Sequence, residues 1–148
     1  NIAGVGFSLQ AFERLRELAR QGAPGQRPID DPLFAARLAR IQIDLEAMRI
    51  TNLRVLAQAQ KDGAPGPESS MLKIKGTVIR QALNDLARRA LGPAACPFPL
   101  EDIDGNRSPL PADRIHIAAQ YFNNRKLSIY GGSNEIQRNI LAKTVLGL

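Results

Sequence analysis

The sequence predicts an all-α fold, an up-and-down four-helix bundle with a short C-terminal fifth helix. Three observations lead there. Apolar residues recur every three or four positions through most of the 148 residues, the spacing that gathers side chains on one face of a helix. Gly and Pro cluster at a few places, and each cluster interrupts that pattern. No segment between the interruptions alternates apolar and polar residues as a half-buried strand does. Helices with one apolar stripe each bury it by packing on one another, and a bundle is the simplest arrangement that does so.

The first helix places Ile2, Val5, Leu9, Phe12, Leu15 and Leu18 on one face, and Gly22-Ala23-Pro24-Gly25 ends it. Asp31 is set to cap the second helix, with Pro32 at its first position, where a missing N–H leaves nothing unbonded. Phe34, Leu38, Ile41, Leu45, Met48 and Val55 hold its stripe to about Lys61. About thirty helical residues span roughly 45 Å, a length that suits the frame of a bundle. The same helix carries a second apolar row, Ala36, Ile43, Ile50 and Ala57. A single bundle need not bury both rows, which predicts self-association unless the second row packs on the proline-rich segment.

Gly63-Ala64-Pro65-Gly66-Pro67 is the next break, and Ser69 or Ser70 is placed to cap a third helix. Its expected face is Met71, Ile74, Val78, Ala82 and Leu86, and its end lies near Gly92-Pro93. Pro93, Pro97, Pro99, Pro109 and Pro111 exclude a regular helix over 92–111 and predict a long loop. A fourth helix is expected over about 112–125, with Ile115, Ala118, Ala119 and Phe122 inward. The last is expected over about 134–146, with Ile136, Ile140 and Val145 on one side.

Composition narrows the function classes. Hydrophobic residues are 44% and charged residues 23%, the balance of an ordinary globular domain. No apolar run approaches the roughly 18 residues that a membrane span needs. The net charge of +6 permits an anionic partner. Basic residues nevertheless sit beside acids, as in Glu13-Arg14-Leu15-Arg16-Glu17, the pattern of a solvated helix face. The expectation is therefore no nucleic acid and no membrane. One cysteine, Cys96, and one histidine, His116, exclude a disulfide framework and metal sites built on several of either. They fit a bland loop thiol and a structural histidine within the fourth helix, and cysteine usage fits a reducing, cytoplasmic setting. The chain opens on Asn1 instead of Met, and a fragment of a longer subunit is expected.

Chemistry is densest over 127–138. Gly131 and Gly132 allow positive φ and close approach to a flat ligand. Ser133 and Asn134 then open a helix, whose unpaired N–H groups and dipole favour an anion or a polar ring edge. A plain turn with an N-cap accounts for the same residues. The run Ser128-Ile129-Tyr130-Gly131-Gly132-Ser133-Asn134-Glu135-Ile136-Gln137-Arg138-Asn139-Ile140 closely resembles the signature near the C-terminus of the acyl-CoA dehydrogenases. The helical layout of 1–148 also resembles that family's C-terminal all-α domain, strongly over 120–148, moderately over the first three helices and weakly through the proline-rich segment.

That resemblance implies FAD, an acyl-CoA thioester as substrate, and removal of two hydrogens across its α and β carbons. It implies Ser133, Asn134 and Glu135 against FAD, Gly132 near the thioester and Tyr130 facing the acyl group. Electron-transfer flavoprotein is the implied electron acceptor, and a homo-oligomer or heterotetramer the implied assembly. The chain alone, about one third of such a subunit, is expected to be inactive.

The departures are equally specific. Many members carry a catalytic glutamate right after the tyrosine, where this chain has Gly131. Members with glycine there use a glutamate at the start of the domain's first helix, a position that falls upstream of Asn1; Glu13 and Glu17 lie too late and read as solvated charges. The usual arginine after the first helix is Gln21, and the usual phenylalanine is Pro24, with Gly25 kept. Arg88-Arg89-Ala90-Leu91-Gly92-Pro93 stands where many members place a glutamine and a glycine pair against the cofactor pyrophosphate. Arg89 could make that contact or be a surface residue. These changes resemble those of bacterial members related to pimeloyl-CoA dehydrogenase, some of which pair two unlike subunits. Two alternatives to the enzyme domain follow: a non-catalytic or structural partner subunit, and an acyl-CoA oxidase.

Overall fold

The computed structural model describes residues 4–64, 66–96 and 114–148, which form five α-helices and no strand. These are α1 (Val5–Ala19), α2 (Pro32–Asp62), α3 (Glu68–Leu91), α4 (Ile117–Asn123) and α5 (Asn134–Val145). The central element is α3, against which α1, α2, α4 and α5 all pack. The all-α bundle with a short last helix stands as the sequence predicts.

Helix α1 buries Val5, Phe12, Leu15 and Leu18 as expected, but Ser8 and Ala19 complete the face, and Leu9 is exposed. At about 100° per residue Ser8 lies in the middle of the arc set by Val5, Phe12 and Leu15, while Leu9 lies beyond its edge. Ile2 falls outside the described residues. Between α1 and α2, a 3-10 turn over Pro28–Asp30 is tied by one carboxylate. Asp30 accepts from the N–H groups of Gly25 (2.8 Å) and Arg27 (3.1 Å), and from the Arg27 side chain at 3.0 and 2.7 Å.

The Arg27 guanidinium holds the Asp30 carboxyl down at about 2; partial burial opposes this, and the two N–H groups reinforce it. The pH consequence has a definite sign. With its folded value depressed, this carboxylate contributes stability above the unfolded carboxylate value of about 4. The contribution is lost as pH falls through about 2. Asp30→Asn is expected to flatten the acid limb of a stability–pH profile between those values; an unchanged limb would show that the pairing persists unfolded.

Helix α2 starts where the sequence places it: Asp31 accepts from the Leu33 N–H at 2.9 Å, and Pro32 opens the helix. All six residues of the expected stripe are buried. The second row is not covered, for Ile43 is 65% and Ile50 45% exposed.

Helix α3 differs from expectation in two ways. Pro67 takes the N-cap position, and Ser69 lies inside the first turn, donating its hydroxyl to the Gly66 carbonyl at 2.8 Å. The N–H groups of Ser69 and Ser70 are met by the Gly66 and Pro67 carbonyls at 3.1 and 3.0 Å, so backbone acceptors take the place of a side-chain cap. The buried face is Ser70, Leu72, Gly76, Thr77, Ile79, Leu83 and Leu86. Leu86 is buried as expected, but Leu72, Ile79 and Leu83 stand one residue beyond the expected Met71, Val78 and Ala82, and Met71 and Val78 are exposed. Two apolar rows of similar length run along this helix, and periodicity does not rank them. Packing does: Leu72, Ile79, Leu83 and Leu86 join the core formed with α1 and α2.

Gly92 ends α3 with φ 55°, and a 3-10 turn over Gly92–Ala95 follows, with Pro93 in its first turn. The rest of the expected loop, 97–111, lies outside the described residues. Helix α4 is shorter than expected. It begins at Ile117, so His116 stands in the N-cap position, exposed, and not within a helix. Phe122 is 65% exposed. Tyr121 is the ring that turns inward, with Arg88 and Arg125 guanidinium carbons 5.0 and 4.5 Å from its centroid. A seven-residue helix presents a single turn to α3, and the larger amphipathic ring with two cations to meet takes that turn. Helix α5 carries Ile136, Ile140 and Val145 on a side that this chain leaves exposed.

Candidate functional site

The stretch with the densest chemistry runs from α4 into α5. A 3-10 turn over Asn124–Ser128 leads to Ile129 and Tyr130, whose N–H groups both bond the Lys126 carbonyl, at 2.9 and 3.2 Å. Gly131 and Gly132 follow with φ of 71° and 79°. Two left-handed residues in succession are strained for any side chain, so both glycines serve the reversal itself. A Cβ on Gly131 would meet nothing within 4 Å, whereas one on Gly132 would press on the Gln137 amide. Gln137 is the strap of this turn: its Nε2 donates to the Gly131 carbonyl at 3.1 Å.

Ser133 caps α5 twice over. Its hydroxyl accepts from the Ile136 N–H at 3.3 Å, and its carbonyl accepts from Gln137 at 3.0 Å. Asn134, the first helical residue, is only 7% exposed. Its Oδ1 accepts from Lys73 Nζ at 2.9 Å, across from α3. Glu135 is exposed and held below the usual carboxylate range, first by its own N–H, then by the Ser133 hydroxyl, with the charges of Arg138 and Lys73 adding to these. Tyr130 is half exposed, and the Lys126 ammonium lies 5.6 Å from its ring centroid.

Tyr130, Gly132, Ser133, Asn134 and Glu135 are therefore one contiguous edge around the amino-terminal end of α5. Arg89 is not part of it. Sixteen residues separate it from Lys73 on α3, about 24 Å along the axis, and its Nε donates to Asp85 at 2.7 Å. Gln21 lies elsewhere too, lining a cleft of about 790 Å³ between α1, α3 and the approach to α4. Glu17, Arg80, Arg114 and His116 border the same cleft. Glu13 pairs with Arg16 at 3.0 Å on the solvent side, and Cys96 is exposed. Among the described residues no three His, Cys, Asp or Glu side chains are grouped to hold a metal ion. No described helix is long and apolar enough to cross a membrane.

Lys73 and Gln137 are the site residues that motif reading passes over. Gln137 is inside the motif, but nothing in its spacing says that it reaches back six positions. Lys73 does leave a trace: with Thr77 and Gln81 it forms a polar row at four-residue spacing along α3.

The family model for the acyl-CoA dehydrogenase C-terminal domain matches residues 2–146. The chain belongs to the acyl-CoA dehydrogenase family. It is 34% identical to acyl-CoA dehydrogenase IpdE1 of Mycobacterium tuberculosis over 137 residues, which cover 93% of this chain and 31% of that protein. It is 31% identical over 143 residues to acyl-CoA dehydrogenase FadE26 of the same organism, covering 93% of this chain and 34% of the relative. The chain thus spans about a third of the length of the relatives it matches. A chain in the crystal structure of the ChsE4–ChsE5 complex from M. tuberculosis superimposes with a TM-score of 0.75 at 25% identity, covering all of this chain and 37% of its own length. As an acyl-CoA dehydrogenase C-terminal domain, the bundle ties the turn from Tyr130 to Glu135 by hydrogen bonds into one edge and leaves the outer rows of α2 and α5 uncovered.

Proposed function

We propose that this domain builds one edge of the FAD and acyl-CoA site of an acyl-CoA dehydrogenase and forms part of the core of an oligomer. The observation that carries the reading is the α5 terminus. Two left-handed glycines, a capping serine and a buried asparagine held by a lysine make a stiff, donor-rich edge with open space beside Gly131. Such an edge suits a flat heterocycle with polar rim atoms, so the residues fit a flavin along one side. When bound, FAD supplies the hydride acceptor for α,β-dehydrogenation of an acyl-CoA thioester.

Each residue of this chain then has a task. Ser133, Asn134 and Glu135 meet the cofactor rim, Gly132 lets the thioester approach the backbone, and Tyr130 faces the acyl group. Arg89, at the far end of α3, holds Asp85 through Nε, and its guanidinium has further N–H groups to offer a cofactor phosphate. Gly131 has no side chain to take a proton, so the base has to come from elsewhere in the subunit; a glutamate N-terminal to Asn1 is the candidate, with open space beside Gly131 to receive it. Electrons pass onward to electron-transfer flavoprotein. The uncovered row of Ile43 and Ile50 on α2 is the surface that a second subunit, like or unlike, covers.

A second reading, a non-catalytic partner in a two-subunit enzyme, is favoured by one observation: no carboxylate stands at 131. Absorbance of the purified full-length subunit near about 450 nm separates the two. Bound flavin that bleaches on adding acyl-CoA supports the dehydrogenase, and re-oxidation in air as fast as by electron-transfer flavoprotein points to an oxidase. A subunit without flavin, or with flavin that acyl-CoA leaves oxidised, supports the partner.

A further inference from the structure

The face of α3 turned toward the candidate site carries a polar row with four-residue spacing: Lys73, Thr77 and Gln81. Gln81 Nε2 donates to the carbonyls of Asn124 and Arg125 at 3.1 and 3.2 Å. The Thr77 hydroxyl lies 3.2 Å from the Leu127 carbonyl and 3.0 Å from that of Lys73. These two anchor the backbone leading into the site. Lys73 does something different, holding a side chain of the ligand edge itself through Asn134 Oδ1 at 2.9 Å.

Its setting is distinctive. The positions three and four residues away on α3 are Ser69, Ser70, Gly76 and Thr77, so no acid on its own helix competes for the ammonium. The charge is instead delivered to the amino-terminal end of α5, where the positive end of the helix dipole opposes it and the Glu135 carboxylate in the first turn offsets that cost. A primary amide offers one accepting and one donating side. A cation on Oδ1 settles the amide's orientation, so that the NH2 group is the side left to donate.

We propose that Lys73 is a positioning residue for the 131–135 edge: it fixes Asn134 with its amide NH2 left to donate and adds positive charge where an electron-rich ring edge docks. The proposal rests on the reading of that edge as flavin-binding.

The test uses the full-length subunit with Lys73→Met, Lys73→Arg, Asn134→Ala and the Met/Ala double variant. Amide hydrogen exchange, flavin affinity and the thermal midpoint are read together. A charge-assisted hydrogen bond of this kind predicts about tenfold faster exchange over 131–137 and about tenfold weaker flavin binding in Lys73→Met. Exchange in the buried half of α2 stays unchanged, and Lys73→Arg recovers most of both losses. The double variant adds little to either single change, since both remove one interaction.

Lys73→Met with unchanged exchange and affinity overturns the proposal. So do additive effects in the double variant, or faster exchange spread evenly over α1 to α3 with a lowered midpoint, the sign of a purely structural lysine. The two levels of the reading fail separately. A wild-type subunit that holds no flavin overturns the cofactor assignment and with it the docking role, whereas a flavin-bound wild type with an indifferent Lys73→Met overturns Lys73 alone.

Discussion

Ile79→Ala is expected to lower the unfolding free energy by about 2–5 kcal/mol, the range for a buried Ile cut back to Ala. Ile79 is 1% exposed in the core shared by α1, α2 and α3, and α3 is the helix that every other one touches. A void there cannot be closed by moving one neighbour without loosening another. Against a total stability of about 5–15 kcal/mol for a domain of this size, the loss is large enough to move a urea midpoint far. Val78, one residue earlier and 47% exposed, supplies the control. Val78→Ala removes little packing and gains helix propensity, so its effect stays within about 0.5 kcal/mol. Denaturation followed by helical circular dichroism distinguishes them, and equal losses at both positions would show that α3 is not packed in this register.

Gly131→Glu is the second change with a large expected effect, and its two consequences oppose each other. The left-handed φ of 71° disfavours any side chain, by about 1–2 kcal/mol. Yet a Cβ there meets nothing within 4 Å, so no clash adds to that strain. The variant is expected to fold with a slightly lowered midpoint and a carboxylate beside Tyr130. Where the full-length subunit carries a glutamate just before Asn1, changing it to glutamine should lower flavin reduction by acyl-CoA by about 10²–10⁴, the usual contribution of a general base; no glutamate there would favour the non-catalytic partner. Adding Gly131→Glu should then restore reduction at least about tenfold. Gly131→Ala carries the same backbone strain without the carboxylate and should restore nothing. Undiminished reduction in the glutamine variant would remove that residue as base. Restoration by alanine would mean that geometry, not proton transfer, had been repaired. With both acids present, mutual repulsion makes one of them hold its proton more tightly, so Gly131→Glu alone should slow the enzyme.

The sequence by itself determined the helical class, the α2 stripe with its Asp31 cap, and the family to which the chain belongs. Each of these rests on information local in the chain. A stripe is a spacing within one helix, a cap is a residue and the N–H two positions on, and the signature from Ser128 to Ile140 is contiguous. The turn chemistry of Gly131, Gly132 and Ser133 was legible for the same reason.

Tertiary structure decided whatever depends on a competition between distant partners. Helix α3 has two apolar rows, and the one containing Ile79 is buried because α1 and α2 close on it, a fact that no period within α3 encodes. Tyr121 turns inward instead of Phe122 because Arg88 and Arg125 flank it, one of them from α3. Lys73 meets Asn134 across 61 positions of sequence. Arg89 stands on the same helix as Lys73, yet the rise of that helix keeps it about 24 Å from the edge around Asn134. Hydrophobic burial is non-directional, so spacing alone states which residues can go inside; the choice among them falls to the neighbours that arrive from elsewhere in the chain.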